Sequence, residues 1–169
     1  GYAGILSFIN FFAEERDVVA ASSLFFFVYA VAVLVTRPFT GRLMDLKGAN
    51  MIMYPGIVLF AVGLLLLSTA HSSFTLLLAG AIIGIGYGNV ASNFQALAIK
   101  VTTPEKMGLA TSTYFIGLDI GLGFGPYFLG YLEPIIGYGN MYFGLGIFIF
   151  VFLILYYFLH GRKDHLYVG

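Results

Sequence analysis

Charged residues divide this chain into five long apolar segments. Only one ionisable acid, Asp119, lies inside a segment, and the polar tripeptide at 71–73 separates the second segment from the third. A helix crosses the hydrocarbon core of a bilayer in about 20 residues, so each segment is long enough to span a membrane. The segments are 18–36, 48–70, 74–99, 107–132 and 134–161.

These segments predict an all-α integral membrane protein, because unpaired backbone is not tolerated in lipid. The predicted spans are about 1–13, 18–37, 50–70, 74–99, 107–132 and 140–160. Residues 1–13 are apolar but too short to cross, so we expect the outer part of a helix that is cut at its start. Because the chain begins with Gly1 rather than Met, we expect it to begin inside a longer protein. Together the spans predict one six-helix transmembrane bundle over residues 1–169.

The composition agrees with a membrane protein. Of the 169 residues, 60% are hydrophobic and 9% are charged, whereas soluble domains have about 25% charged residues. A water-soluble protein of this size could not hide so much apolar surface, so membrane lipids are the expected partners. The net charge is zero, so no basic excess indicates a nucleic-acid partner.

Nothing in the sequence favours an enzyme, a metal site or a cofactor. There is no cysteine, which removes disulfides and thiol chemistry. His71, His160 and His165 are far apart and lack metal-ligand spacing. The glycine-rich stretches 84–88 and 121–125 lie inside apolar spans, whereas a phosphate loop needs a strand before it and a helix start after it. No nucleophile–base set is present, so we expect no enzyme activity and no cofactor.

Lysine and arginine concentrate in alternate connections between the spans. Seven of them lie on one predicted side, and one, Arg16, lies on the other. The seven are Arg37, Arg42, Lys47, Lys100, Lys106, Arg162 and Lys163. Positively charged connections favour the cytoplasm. We therefore expect a multi-pass protein of the cell membrane, in a bacterium the inner membrane, with its C-terminus in the cytoplasm.

Two predicted helices have glycine at every fourth position, which places the glycines on one face of each helix. The two ladders are Gly80, Gly84 and Gly88 in the fourth span and Gly117, Gly121 and Gly125 in the fifth. Small faces let helices approach closely in lipid, so we expect both ladders to pack against neighbouring helices. The same smooth faces would let helices slide or rock during transport, and the sequence leaves both uses open.

The connection after the second span carries a motif. Residues 37–48 read Arg-Pro-Phe-Thr-Gly-Arg-Leu-Met-Asp-Leu-Lys-Gly and resemble the signature loop of the major facilitator superfamily. The matching positions are Gly41, Leu43, Asp45 and Gly48. The basic positions of that loop are replaced here, while Arg42 and Lys47 supply positive charge nearby. The resemblance implies that this loop gates the cytoplasmic side, with Asp45 contacting adjacent helix ends and basic groups.

The fifth span adds a second resemblance. Residues 121–130 read Gly-x-x-x-Gly-Pro-x-x-x-Gly, with Pro126 inside, and look like the antiporter motif of drug-exporting families. Ser112 and Leu129 stand where the full motif has glycine. That motif belongs to helix five, and the pseudo-symmetry of the fold allows a related pattern in helix eleven. The resemblance implies that the chain is the C-terminal half of a twelve-helix fold and that a missing N-terminal six-helix half is its partner.

The resemblance to bacterial drug and metallophore exporters also implies a function. We expect proton-coupled efflux of small amphipathic molecules by alternating access, with a small-molecule substrate and protons as partners. Helices seven, eight, ten and eleven should face the transport site. The third and sixth spans should lie outside because they have few polar groups. An uptake symporter or facilitator stays open as an alternative, as does a non-transporting membrane scaffold or subunit.

Asp119 is the proton-coupling candidate. It lies 13 residues beyond Lys106, which is about 20 Å along a helix and therefore near the bilayer centre. An ionised carboxylate at that depth costs about 2.5–3.5 kcal/mol on insertion scales, so a function is the default expectation, and we expect the side chain to face the bundle interior or a wet cavity. The alternative is a structural carboxylate that hydrogen-bonds to a neighbouring helix.

A few uncharged polar side chains inside the spans are candidates for the substrate pathway. Asn89 and Asn93 are four residues apart and share a helix face, with Gln95 nearby. Asn10 and Tyr29 are candidates of the same kind on the first and second spans. Amide groups in lipid also join helices to one another, so interhelical hydrogen bonding is an equal alternative to substrate contact.

Overall fold

The structure, a computed structural model, describes residues 1–100 and 102–159, and every regular element among them is helical. The helices are α1 (Tyr2–Glu15), α2 (Val19–Lys47), α3 (Asn50–Ser68), α4 (Ser73–Ile83), α5 (Asn89–Lys100) and α6 (Met107–Leu159). A π-helical turn, Gly84–Gly88, joins α4 to α5, and a short 3-10 turn, Pro104–Lys106, precedes α6. The described part of the chain is therefore all-α.

Among the described residues, four helical segments are long and apolar enough to cross a membrane. They are Val19–Lys47, Asn50–Ser68, Ser73–Lys100 and Pro104–Phe158. The third segment joins α4, the π-helical turn and α5 into one rod of 28 residues. In contrast, α1 has 14 residues, fewer than the roughly 20 that a crossing needs.

The last helix is unusually long and has a break. It has 53 residues, and its backbone leaves the helical region at Gly137, where φ is 77° and ψ is 161°. We call residues 107–136 α6a and residues 138–159 α6b; the spans predicted at 107–132 and 140–160 lie on either side of the break. A count of six spans stays a prediction. His160, Arg162, Lys163 and His165 lie outside the described residues.

The second helix extends further than the sequence suggested. We expect a connection over residues 38–50, but α2 continues through Pro38 to Lys47 and only residues 48 and 49 lie outside a helix. Gly48 has a φ of 85°, a left-handed conformation that costs glycine little, and this ends the helix. The expected extent of the connection is therefore wrong: most of the signature segment forms the last turns of α2.

The third helix packs one face against the described bundle. Ten of the 19 residues of α3 are buried, and the helix packs against α4 and α6. Gly56 and Gly63 permit this approach, because Val90 and Ile83 occupy the space where a Cβ would lie. The other face of α3 is open, with Met51 49% and Val62 41% exposed, so the expectation that this helix lies on the outside of the bundle stays a prediction. A lack of polar groups suits burial among apolar helices as well as contact with lipid, since both surroundings are equally apolar.

Two helices leave large apolar faces open. On α2, Phe27, Leu34 and Phe39 are 66–74% exposed. On α6a, Phe128 and Tyr131 are similarly open. Exposed apolar faces of this size indicate contact with lipid or with another protein surface.

Candidate functional site

A cleft of about 910 Å³ lies between the rod Ser73–Lys100 and α6. The π-helical turn and α5 line one side, α6a lines a second, and α6b with α3 line a third. Its aromatic side chains are Tyr2, Phe60, Tyr87, Phe94, Tyr114, Phe148 and Phe152. A cavity of this volume with mainly apolar and aromatic walls is typical of a small-molecule site.

A row of aromatic rings stands at the inner end of the cleft. The Tyr2 ring stacks on Tyr87, with centroids 4.4 Å apart, and lies 5.7 Å from the Tyr29 ring on its other side. Phe60 of α3 contacts Tyr87 at a centroid distance of 5.0 Å. The row therefore joins α1, α2, α3 and the π-helical turn. Each such pair contributes about 0.5–1.5 kcal/mol beyond its area burial, so this end of the cleft is fixed.

The glycines of the π-helical turn explain how Tyr87 reaches this row. A Cβ at Gly86 would lie 2.5 Å from the backbone nitrogen of Phe60, and one at Gly84 would lie 2.6 Å from the Tyr29 carbonyl oxygen. The turn is therefore pressed between α2 and α3. Single π-helical turns are frequent at functional sites because they shift the register of a helix face. Tyr87 of this turn lines the same side of the cleft as Ala91 and Phe94 of α5.

The two glycine ladders have different surroundings. A Cβ at Gly80 would lie 3.0 Å from the Phe25 ring, and Val33 would obstruct one at Gly88, so the first ladder packs closely against α2. The second ladder does not pack in this way. Among the described residues, no atom would lie within 4 Å of a Cβ at Gly117 or Gly121. Both line the cleft instead, because α6a stands away from α5 along this face.

Gly125 and Pro126 at the end of the second ladder lie closer to the bundle. A Cβ at Gly125 would lie 3.1 Å from the Cβ of Ala3 on α1. Pro126 is half-buried, and the helix continues through it. Among the described residues, close packing of the second ladder is therefore not seen at Gly117 and Gly121, while Gly125 makes a contact with α1.

Asn89 joins two helices. Its side chain is buried, its amide nitrogen donates to Thr36 Oγ1 at 2.8 Å and to the Ile85 carbonyl at 2.7 Å, and its Oδ1 accepts from Thr40 Oγ1 at 2.7 Å. Thr36 and Thr40 belong to α2, so these bonds hold α5 and α2 together. With its polar atoms engaged in this way, Asn89 fits the interhelical alternative rather than substrate contact.

The other substrate-pathway candidates do not line the cleft, although the Tyr29 ring belongs to the aromatic row at its inner end. None of Asn10, Tyr29, Asn93 and Gln95 is among the residues that line it. Asn10 is exposed, Asn93 is buried, and Tyr29 and Gln95 are half-buried. The cleft therefore does not bring the predicted set together.

The residues that line the cleft from the π-helical turn and α5 were not predicted from the sequence. Tyr87, Ala91, Phe94 and Ala98 recur at helical spacing and form one face of the rod. That spacing was available from the sequence. In a chain with 18 Phe and 12 Tyr, however, an aromatic stripe does not distinguish a cleft wall from a lipid-facing surface. Only the position of α6a decides between them.

Asp119 is exposed on α6a and does not line the cleft. Gly117 and Gly121 do line it, and a residue two positions away on a helix points to the other side. No described residue lies within hydrogen-bond or ion-pair distance of the Asp119 carboxylate. The expected contact with the interior of this bundle is therefore absent from the described residues. The carboxylate lies on an open face of α6a.

The signature segment forms the end of α2. Gly41, Arg42 and Asp45 are exposed on its last turns, and Gly48 terminates it. Among the described residues, Asp45 forms no ion pair, either with Arg42 or with Lys47. The contacts that the resemblance implies for Asp45 are therefore not made within this part of the chain.

Arg16 connects the helix ends on the opposite side of the bundle. Its Nη1 lies 2.6 Å from Nδ1 of His71, and its Cζ lies 5.4 Å from the centre of the Phe12 ring. A smaller cavity of about 260 Å³ adjoins it, next to Gly137 and Asn140. Arg16, the sole basic residue on its predicted side, therefore ties the α1–α2 connection to the α3–α4 connection.

Comparisons with known proteins give consistent results. The family described as Major Facilitator Superfamily matches residues 1–167. An uncharacterized MFS-type transporter of Methanocaldococcus jannaschii is 29% identical over 157 residues, covering 92% of this chain and 40% of that protein. The multidrug resistance protein MdtG of Dickeya zeae is 25% identical over 167 residues, covering 95% and 41%. MdtG of Proteus mirabilis is 25% identical over 161 residues, covering 92% and 40%. The chain thus spans about two fifths of the curated relatives it matches.

Proposed function

Because the chain belongs to the major facilitator superfamily, a family of transporters and not of enzymes, we propose that it is part of a proton-coupled exporter of small amphipathic molecules. The observation that supports export most directly is the similarity to MdtG proteins, which are described as multidrug resistance proteins, over at least 92% of this chain. Drug resistance by a secondary transporter requires movement out of the cell.

In this proposal the chain forms the C-terminal six-helix half of the transporter. The backbone break at Gly137 would separate α6a and α6b as two spans, and α1 would be the outer part of another. The open apolar faces of α2 and α6a would lie against the N-terminal half or against the transport path. Alternating access would then follow from rocking of the two halves about a central site.

The close packing within this chain supports rocking as a unit. The first glycine ladder packs the rod Ser73–Lys100 closely against α2. A Cβ at Gly84 would lie only 2.6 Å from the Tyr29 carbonyl oxygen. Asn89 adds hydrogen bonds between the same two elements. Helices joined in this way move together, so the change of state would occur between the halves rather than between α2 and the rod.

We assign proton coupling to Asp119. Asp119 is an acid inside an apolar helix, and it lies on the exposed face of α6a, which is directed away from the cleft. A carboxylate that faced hydrocarbon would have no partner to offset its desolvation. Asp119 would therefore face the water-accessible path between the two halves, where it could bind a proton in one state and release it in the other.

Export is tested in bacterial cells that lack their own drug exporters and express the full-length protein. The expected result is a lower steady-state level of a lipophilic fluorescent dye in energised cells than in cells with the empty vector. A protonophore should remove this difference, because it removes the proton gradient that drives export. A higher dye level would indicate uptake, and an unchanged level across a panel of dyes would favour a scaffold; either result contradicts the proposal.

A further inference from the structure

Asn93 of α5 is a buried amide that the proposed transport cycle does not use. Its side chain is 6% exposed, and it forms no hydrogen bond with any residue that the structure describes. Asn89, one turn earlier on the same helix face, has both ends of its amide bonded to α2. A buried amide without a partner destabilises a fold. A second arrangement of these helices, in which Asn93 has a partner, would explain why an amide stands here.

The contacts between α2 and the rod Ser73–Lys100 place Asn93 level with Thr40. The two elements run in the same direction and meet at steps of four residues on each. These meeting points are Gly80 with Phe25, Gly84 with Tyr29 and Gly88 with Val33. Beyond the π-helical turn, Asn89 bonds to Thr36. One further turn along each helix leads from this pair to Asn93 and Thr40.

Thr40 can leave Asn89 without losing its hydrogen bond. Its hydroxyl oxygen lies 2.7 Å from Asn89 Oδ1, but also 3.1 Å from the Arg37 carbonyl oxygen and 3.3 Å from that of Thr36. Pro38 lies between Thr36 and Thr40 and has no N–H, so α2 lacks one backbone bond at this point. Helices bend at such positions. The end of α2 beyond Pro38 can therefore change its angle while Thr36 stays bonded to Asn89.

We propose that Asn93 is a positioning residue for the end of α2 in a second state of the transport cycle. In that state its amide nitrogen donates to Thr40 Oγ1, while the Thr40 hydroxyl donates to a carbonyl of its own helix. The inference rests on the proposed transport function, because the end of α2 carries the signature segment with Asp45. Exchange of Thr40 between two amides one turn apart gives this segment two defined positions.

Unfolding of the purified full-length protein in mixed micelles tests whether Asn93 has a partner in the first state. Asn93→Leu should keep or raise the midpoint temperature, because it removes an unpaired amide from an apolar environment. Asn89→Leu, the same change one turn earlier, should lower it. A decrease with Asn93→Leu as large as that with Asn89→Leu would mean that Asn93 is already bonded, for example through a buried water, and would overturn the proposal.

Dye export by the full-length protein tests the second state. Asn93→Leu should lower the export rate about three- to tenfold, the effect of losing one interhelical hydrogen bond in one state. A slower cycle without a loss of stability separates a positioning role from a merely structural one. Ser92→Ala is the matched control, because the Ser92 hydroxyl donates to the Gly88 carbonyl of its own rod, and its rate should be unchanged. Export by Asn93→Leu at the unmodified rate would overturn the proposal.

The pairing with Thr40 is tested by a double variant. Thr40→Val should also slow export, and adding Asn93→Leu should slow it less than the product of the two single effects, because both changes remove one bond. Fully multiplicative losses would assign Asn93 another partner and overturn the pairing. An unmodified protein that exports no dye would contradict the proposed function itself, and this inference with it, whereas normal export by both the unmodified protein and Asn93→Leu would contradict this inference alone.

Discussion

Three buried polar side chains form hydrogen bonds to neighbouring helices. Asn89 bonds to Thr36 and Thr40, the Tyr142 hydroxyl donates to the Gly4 carbonyl, and the Tyr156 hydroxyl donates to Asn50 Oδ1. An unpaired polar group costs several kcal/mol in hydrocarbon. These bonds therefore help to fix which helices are neighbours, and a partner on another helix counts against a direct role in substrate binding.

Asn89→Leu should destabilise the folded protein by about 1–2 kcal/mol. Interhelical hydrogen bonds in membranes contribute about 0.6 kcal/mol each on average, and the leucine keeps the size of the side chain while removing three bonds. Unfolding of the purified protein in mixed micelles measures the effect. A double variant with Thr36→Val should lose less than the sum of the single changes, because the two residues share a bond. Additive losses would contradict the assigned pairing.

The sequence established the shared face of Asn89 and Asn93 but not what lies opposite that face. The spacing of four residues fixes direction along one helix, whereas the partner depends on which helix packs there. The same reasoning explains Tyr87 and Phe94. Their helical spacing is visible in the sequence, but only the distance between α5 and α6a turns an aromatic face into a cleft wall.

At the scale of elements, glycine placement decides how closely the helices approach. The first ladder presses the rod Ser73–Lys100 onto α2, while Gly117 and Gly121 face open space. Both ladders have the same four-residue period in the sequence. Periodicity predicts a smooth face, and it does not predict whether another helix covers that face.

Gly84→Leu and Gly121→Leu should therefore behave differently. At Gly84 a side chain would collide with the α2 backbone at Tyr29, which cannot move aside as a flexible side chain can, so we expect a marked loss of folded protein. At Gly121 the added side chain enters the cleft, and the folded yield should stay near that of the unmodified protein. Size-exclusion chromatography and thermal unfolding in detergent measure both. Equal damage by the two changes would mean that α6a packs closely after all.

Asp45 lies in the last turn of α2. An acid in the last turn of a helix faces the negative end of the helix dipole, so it does not stabilise α2. Asp45→Asn should leave the thermal stability unchanged or raise the free energy of unfolding by about 0.3–1 kcal/mol. If the segment gates one side of the transporter, the same change should lower the transport rate. A variant with unaltered transport kinetics in proteoliposomes would remove Asp45 from gating.

At the scale of the whole molecule, charge spacing in the sequence was enough to predict a helical membrane protein. Long uncharged segments have few alternatives, since lipid admits only structures that pair their own backbone. The arrangement of the helices relative to one another was harder to predict from the sequence. The third span buries one face and leaves the other open, and its sequence did not show which face is which, because hydropathy does not distinguish lipid from the apolar interior of a bundle. The resemblance to the family came from two short motifs, whose residues lie on helices except for Gly48, which ends α2.

The most direct test of proton-coupled export measures proton movement itself. The full-length protein is reconstituted in liposomes that hold a pH-sensitive dye and an imposed pH gradient, and an amphipathic substrate of the dye-export assay is added. We predict that substrate addition dissipates the gradient through the unmodified protein. Asp119→Asn should abolish this flux while substrate exchange without a gradient stays measurable, because an amide keeps the shape of the side chain but cannot carry the proton. A gradient that substrate does not affect in the unmodified protein would contradict proton-coupled export, and unchanged flux in the variant would remove Asp119 from it.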